Sequence, residues 1–534
     1  MSNLVTKLNL ASVLEDSAMN YPNKTAIVFG ETRLTYAQLD GMVNQIANGL
    51  KEHDIGRGDK VALSCPNLPY FPMVYYAILK IGATVVPLNV LLKKREITYH
   101  LKDSDSKAYF CFVGTEELPM AQEGWPAFNE VEACTNFWII TPPGVASPIE
   151  GAAIMSSMMG DKSTTFESVA TNREDGAVIL YTSGTTGLAK GAELTHSNIY
   201  DNCLVNQGLF RTSPDDIHLV ALPLFHSFGQ TCQMNAGFLV GSTLVLLARF
   251  DPGDALQAMQ DENVTLFAGV PTMYWALLNY PDADKYDLEK IAKNFRLGAS
   301  GGSSMPVEVM NAFEEKYKIK ILEGYGLSET SPVASFSRMD LEKVPGSIGV
   351  PIQGVEMMIA DENGKAVPQG DIGEILIRGH NIMKGYYNKP EATAEAFQGG
   401  WFHSGDLGRK DEKGYYYIVD RLKDMILRGG FNVYPREIED VLMTHPAVSL
   451  VAVVGEPNEE YGEEVTAFII LKEGQTASPE ELIEWSKNEM ASYKYPRKVF
   501  IKKELPMNAT GKILKRVLRD EMEQQVTEQK VESA

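Results

Sequence analysis

The run from Tyr181 to Gly191 gathers anion-binding chemistry into a short space. It holds four hydroxyls (Thr182, Ser183, Thr185 and Thr186), three glycines (Gly184, Gly187 and Gly191) and one cation, Lys190. Glycines let a backbone turn tightly and bring its N–H groups against an anion. The hydroxyls add donors and the lysine adds charge, so the composition suits a polyphosphate. The Walker spacing Gly-x-x-x-x-Gly-Lys-Ser/Thr is missing, and an ordinary Ser/Thr/Gly loop would share the same composition.

Other segments carry chemistry of their own. Gly301, Gly302 and Ser303 form a small-residue turn after an apolar strand ending near Leu297. The stretch Glu323, Gly324, Tyr325, Gly326, Leu327, Ser328, Glu329 begins like a dinucleotide fingerprint, but Glu329 occupies the third glycine position and the pattern fails. A carboxylate facing polyphosphate calls for a metal between them. Asp406 supplies an acid at the end of the run Trp401 to Asp406. Arg421 and Lys423 stand in a charged link, and Lys512 follows a Thr-Gly turn that lets it project from a loop tip. Between Lys494 and Arg516 there are eight basic residues against Glu504 alone, a local excess that reads either as a solvated face or as an attraction for the phosphates of a nucleotide-like second substrate. Taken singly, Asp406, Arg421 or Lys512 would read as a surface charge.

These strings, in this order, resemble the adenylate-forming superfamily, which includes acyl-CoA synthetases, aryl-CoA ligases, luciferases and peptide-synthetase adenylation domains. The resemblance covers almost the whole chain; even Gly58 to Val61 and Pro87 to Asn89 follow its habit. Ala189 stands where proline is usual, and Ser328 where threonine is usual. The resemblance implies that the 182–190 loop holds the phosphates, that 301–303 and Glu323 to Leu327 face the adenine with Tyr325 stacked on it, and that Ser328 contacts the α-phosphate. It implies that Glu329 and Thr182 hold Mg²⁺, that Asp406, Ile418 and Arg421 face the ribose or phosphates, and that Lys423 is the hinge of a small mobile domain. Lys512 would enter the site for adenylation, its charge bridging carboxylate and α-phosphate oxygens. Lys190, His226 and Glu329 complete the catalytic set.

For the acid, the segment Pro223 to Gly229 is similar to the family's acyl-site signature, with His226 where the carboxylate, phosphate and thiol tunnels meet. No aspartate stands here to hold an ammonium group, so an amino acid is not expected. Phe228, Cys232, Ala299, Gly324, Gly326 and Val333 are expected to line an apolar tail site, with the small residues leaving room. For the acceptor, the loop with Arg428, Gly429 and Gly430 resembles the one lining the pantetheine tunnel of CoA ligases. The expectation is an acyl-CoA synthetase for a medium- to long-chain fatty acid, with ATP and coenzyme A as co-substrates. The alternatives are an aryl-CoA ligase of the 4-coumarate or feruloyl type, a nucleotide-binding oxidoreductase, which the failed glycine pattern opposes, and a non-catalytic nucleotide-binding regulator, which Lys512, Glu329 and Asp406 oppose.

The elements that must position these residues follow an α/β rhythm. Thr35 and Gln38 form a capping box opening a helix with Leu39, Val43, Ile46, Ala47 and Leu50 on one face. A strand at 61–63, a helix at 71–81 and a strand at 84–86 follow, implying largely parallel sheets covered by helices. Residues 141–165 read as a surface connection without period. The α/β fold class is thus a large multi-subdomain part, 1–421, and a small α+β part, 422–534. The small part has a helix from Pro435, strands at 448–454 and 465–471, a helix capped by Ser478 with Glu481, a last helix from about Lys512 and a frayed tail from Glu521.

Composition bounds the rest. The chain has 534 residues, 44% apolar and 22% charged, with 49 basic and 70 acidic residues for a net charge of −21. That acidity excludes a general nucleic-acid binder. Five scattered cysteines allow no disulfide framework or metal knuckle, which suits a reducing cytoplasm. The first sixteen residues do not read as a secretory signal, and no run is long enough to span a membrane. A homodimer is carried as an open expectation.

Overall fold

A computed structural model describes residues 7–182, 188–458 and 460–522. The chain is mixed α/β, with a large N-terminal domain and a small C-terminal one. Two sheets dominate the large domain. One runs, edge to edge, Val350–Pro351, Val333–Phe336, Ile321–Gly326, Leu297–Ser300, Leu266–Gly269, Ile217–Val220, Thr243–Leu246, Thr25–Phe29 and Thr32–Thr35. The strands from Ile321–Gly326 through Thr25–Phe29 are parallel, and Val333–Phe336 is antiparallel to both its neighbours. The other centres on the parallel strands Gly176–Thr182, Thr84–Pro87, Lys60–Ser64, Ser106–Phe112 and Asn136–Ile140. Both are continuously apolar along their central strands, as parallel sheets covered on both faces must be. A smaller antiparallel sheet carries Trp401–Lys410 paired with Tyr416–Arg421.

The small domain is built on the long antiparallel pair Val448–Asn458 and Gly462–Leu471. Helices Pro435–Met443 and Pro479–Glu489 accompany it, the second with the capping box of Ser478 and Glu481 in place. The Thr35–Gln38 box also forms, and the whole apolar stripe of helix Tyr36–Glu52 is buried.

Three local expectations need correction. Residues 141–165 are not featureless. Ala153–Ile154 extends a sheet edge, and the short helix Met155–Met159 buries Met155 and Met158. Gly49 is what admits that helix, since a Cβ there would sit 2.7 Å from the Met158 carbonyl oxygen. The last helix begins after Lys512 rather than at it, and the tail beyond 522 lies outside the described residues. The segment after His226 is a π-helix, Phe228–Asn235, leading into helix Ala236–Val240. All five cysteines are free and buried. Among the described residues, no helix is long and apolar enough to cross a membrane.

Candidate active site

The strands Gly176–Thr182 and Lys190–Thr195, which flank the polyphosphate-type segment, pair antiparallel with Thr182 opposite Lys190. Ser183, Gly184, Thr185, Thr186 and Gly187 lie outside the described residues. The loop's two ends are well defined. The Thr182 hydroxyl donates to Glu329 Oε1 at 3.3 Å. Tyr99 donates to the Ala189 carbonyl at 2.7 Å. Lys190 Nζ lies 5.2 Å from the centre of the Tyr386 ring, and the Tyr386 hydroxyl donates to Glu329 Oε1 at 3.0 Å. Tyr386 was not foreseen. It arrives on the two-residue strand Gly385–Tyr386, paired to Lys190–Thr195, and no local pattern links residue 386 to residue 329.

Glu329 sits in a single 3₁₀ turn, Ser328–Thr330, and its residue is buried. Among the described residues no group of three His, Cys, Asp or Glu side chains converges anywhere. A cation between Thr182 and Glu329 would therefore have hard oxygen donors and would draw its other ligands from phosphate and water. That donor set fits Mg²⁺, which favours oxygen and keeps several waters.

Ser300 pairs with Glu323 on adjacent strands, and the residues 301–303 follow directly. Met305 N–H donates to Glu323 Oε1 at 2.9 Å, while Oε2 has no partner among the described residues. Burial pushes the Glu323 carboxyl up to about 7. A Cβ on Gly301 would stand 3.2 Å from the Phe228 ring and 3.3 Å from the Gly324 carbonyl oxygen. The residues read as adenine-facing and as acid-facing thus meet at this turn.

Tyr325 donates to Asp406 Oδ2 at 2.7 Å, and Arg421 Nε lies 3.3 Å from Asp406 Oδ1. Asp406 and Arg421 are direct partners across an antiparallel pair, so the register of Trp401–Lys410 on Tyr416–Arg421 brings them together. Ile418 is opposite Gly408 on the same pair.

Lys512 reaches this group from the small domain. Asn508 Oδ1 accepts from Thr510 N–H, the Thr510 hydroxyl and Lys512 N–H, which shapes the turn that presents the lysine. Gly511 takes φ +78°, a conformation that side chains rarely adopt. Burial first, then the charge of Arg421, pulls the Lys512 amine down to about 8, and Asp406 and Asp424 oppose that fall. Burial also lowers the Lys423 amine. His226 is within electrostatic reach of Lys512. Burial, followed by that charge, pulls its imidazole down to about 4, so the ring is neutral at pH 7. Its Nδ1 accepts from Phe228 N–H at 3.3 Å, which leaves the proton on Nε2.

The acid-facing residues depart from expectation in two ways. Gly324 and Gly326 do not open space for a tail. A Cβ on Gly324 would lie 2.1 Å from the Phe336 ring, and one on Gly326 would lie 1.8 Å from the Pro332 carbonyl oxygen. Those volumes are already protein. The surroundings are also more polar than the sequence reading held. Asn202 Nδ2 donates to the Val333 carbonyl at 3.1 Å, and Asn381 Nδ2 does so at 2.9 Å. Tyr76 donates to Asn235 at 2.7 Å, and Gln233 to the Leu219 carbonyl at 2.7 Å. The amide nitrogens of Asn202, Asn381 and Gln233 are tied to backbone carbonyls, while Gln233 Oε1 and Asn381 Oδ1 have no partner among the described residues, and Phe228, Cys232, Ala299 and Val333 are themselves buried. The π-helix depends on Gly229, where a Cβ would strike the carbonyl oxygens of Pro223 and Leu222 at 2.7 and 2.8 Å.

Gly429 and Gly430, at φ +57° and +82°, are the two turn residues of a hairpin joining Ile426–Arg428 to Phe431–Val433. Around Gly430 there is open space. Arg428 is committed elsewhere: it forms a bidentate pair with Glu464 at 2.5 and 2.9 Å, and its guanidinium covers the Tyr461 ring. Among the described residues, no hydrogen bond joins this hairpin to Tyr325, Asp406, Arg421 or Lys512.

The arrangement has counterparts among known proteins. The family model described as AMP-binding enzyme matches residues 14–387, and the one described as AMP-binding enzyme C-terminal domain matches residues 437–512. A long-chain-fatty-acid–CoA ligase of Bacillus subtilis (strain 168) is 35% identical over 96% of this chain and 94% of its own length. A feruloyl-CoA synthase of an Amycolatopsis species is 36% identical, covering 93% of this chain and 96% of its own. The structure of ATP-bound MatB from Rhodopseudomonas palustris superposes with a TM-score of 0.87 at 32% identity, over 96% of this chain and 98% of that one.

Proposed function

The chain belongs to the AMP-binding enzyme family as an AMP-forming acid–CoA ligase, and from that premise we propose that its acid is a medium- to long-chain fatty acid. The observations that carry the site assignment are the convergence of Lys512 with Asp406 and Arg421 from separate elements and the Thr182–Glu329 pair. In the first step the acid's carboxylate attacks the α-phosphate of ATP and pyrophosphate leaves. In the second the CoA thiol attacks the acyl adenylate and AMP leaves.

Each residue has a defined task in this reading. Asp406, held by Tyr325 and Arg421, accepts from the ribose hydroxyls. Lys512 supplies positive charge where negative charge builds up on carboxylate and phosphate oxygens, which is the largest kind of contribution a fixed group makes. His226, neutral with its proton on Nε2, offers a donor to the acid's carboxylate without adding charge. Mg²⁺ held by Thr182 and Glu329 would neutralise phosphate charge. Positioning supplies much of the remainder. We place the domain boundary after Arg421 and the hinge at Lys423; a swing there would exchange Lys512 for the Gly429–Gly430 hairpin between the two steps.

The fatty-acid reading rests on the buried Phe228, Cys232, Ala299 and Val333, with no acidic residue among them to hold an ammonium. The feruloyl-CoA synthase similarity favours an aryl acid as the second reading. A kcat/KM series from acetate to palmitate, with coumarate, ferulate and benzoate alongside, tests both. Each buried methylene is worth about 0.8 kcal/mol, so specificity should climb with chain length. A flat aliphatic series with an aryl acid far ahead would replace the first reading with the second.

A further inference from the structure

We propose that Trp275 and Thr272, on helix Pro271–Leu278 of the large domain, form a latch that selects the position of the small domain in which Lys512 enters the site. Neither residue belongs to the nucleotide- or acid-facing set. Trp275 Nε1–H points out of the large domain and donates to the backbone carbonyl of Ser449 at 3.1 Å and to its hydroxyl at 3.0 Å. Ser449 lies on the long edge strand Val448–Asn458 of the small-domain sheet. The indole packs against a cluster that is otherwise entirely from the small domain, including Leu450, Val454, Phe468, Leu505 and Leu518.

One turn earlier on the same helix, the Thr272 hydroxyl donates to the Gly511 carbonyl at 2.7 Å. Gly511 immediately precedes Lys512. Its contact is close enough that a Cβ would meet Thr272 Oγ1 at 2.8 Å and Val270 Cγ2 at 2.9 Å. The same short helix therefore grips the body of the small domain with one residue and the lysine's own loop with another. Other contacts across the seam adjoin the hinge itself: Arg436 donates to Asp420 Oδ2 at 3.0 Å and to the Ile418 carbonyl at 2.7 Å, and Leu422 N–H to the Gly405 carbonyl at 3.0 Å. Contacts beside a rotation axis change little as a body turns, so they discriminate poorly between its positions. The Trp275 and Thr272 contacts must break for the small domain to turn.

Trp275 and Thr272 are thus positioning residues for the first half-reaction. The inference rests on the ligase reading for its kinetic consequence, but not for the docking itself. The test uses the full chain with Trp275→Ala, Trp275→Phe and Thr272→Val. Pyrophosphate release should fall about tenfold in Trp275→Ala, as expected when hydrogen bonds of ordinary strength and part of an indole contact leave a docking equilibrium. Thioester formation from supplied acyl adenylate should be unchanged or faster, and Trp275→Phe should lie between. Equal loss in both half-reactions, or loss in neither, would overturn the latch. In the substrate-free protein, amide exchange over residues 505–513 should be faster in Trp275→Ala and in Thr272→Val, and unchanged exchange would also overturn it. A wild-type chain that forms no adenylate from any acid would refute the ligase reading alone, and the exchange result would still decide the latch.

Discussion

The Tyr325 hydroxyl donates to Asp406 at 2.7 Å, tying a strand of the large parallel sheet to the antiparallel pair that ends at Arg421. A tyrosine expected only as a stacking surface also holds Asp406, the acid proposed to accept from the ribose. Tyr325→Phe keeps the ring and frees Asp406 Oδ2. Hydrogen bonds to charged groups contribute about 1.5–3 kcal/mol, so the KM for ATP should rise about tenfold or more with kcat changed less. Pyrophosphate release at varied ATP measures this, and an unchanged KM would show that Arg421 suffices to hold the acid.

Lys512→Ala should lower adenylation by about 10²–10³, the usual cost of losing a donor aimed at developing charge. Thioester formation from supplied adenylate should survive. The amine sits near 8 in the substrate-free site, so its charged form is lost as pH rises through that value. The kcat/KM for ATP should therefore fall on the alkaline side near pH 8. Bound phosphates favour the charged amine, so the corresponding limb of kcat should lie higher. Coincident limbs in a pH–rate profile would contradict this assignment.

Glu329→Gln preserves shape and the contacts from Thr182 and Tyr386 while removing the charge that pairs with a hard cation. The magnesium concentration for half-maximal pyrophosphate release should rise. A magnesium titration identical to wild type would mean that Glu329 is no ligand.

Gly326→Ala should act on stability rather than on acid preference. Its Cβ would fall 1.8 Å from a backbone oxygen that cannot step aside. Overpacking of this kind costs about 1–3 kcal/mol or more, readable as a lower denaturation midpoint. A shift in preferred chain length at full stability would restore the expectation that this glycine borders the tail.

Glu323→Gln should change how stability depends on pH. The carboxyl is raised from 4.5 to about 7 by burial, so the folded state holds a proton that the unfolded state releases. Its contribution is fully present below pH 4.5 and is lost as pH rises through 7. At 1.36 kcal/mol per pH unit, the loss amounts to about 3 kcal/mol at most. Denaturant midpoints of the two proteins should diverge between pH 4.5 and 7, the wild type declining relative to the variant; parallel curves would argue that Glu323 is not buried.

The sequence by itself determined whatever depends on neighbours a few residues apart. The boxes at Thr35 and Ser478, the α/β alternation, the hairpin glycines 429–430 and the Thr-Gly turn before Lys512 all have their causes within one turn of chain. The motif strings were legible too, because Thr182, Glu329, Asp406 and Lys512 each stand in a compact run of characteristic residues. Only the tertiary structure decided which groups share an atom. Tyr386 on Glu329, Asn202 on Val333, Arg428 on Glu464 and Trp275 on Ser449 join residues far apart in the chain. The same holds for Gly324 and Gly326, whose missing side chains suggested room. Whether a glycine leaves a cavity or admits a neighbour depends on what packs across from it, here Phe336 and Pro332 on the returning strand and its turn. Side-chain periodicity along one strand specifies its own faces but not the volume its partner brings.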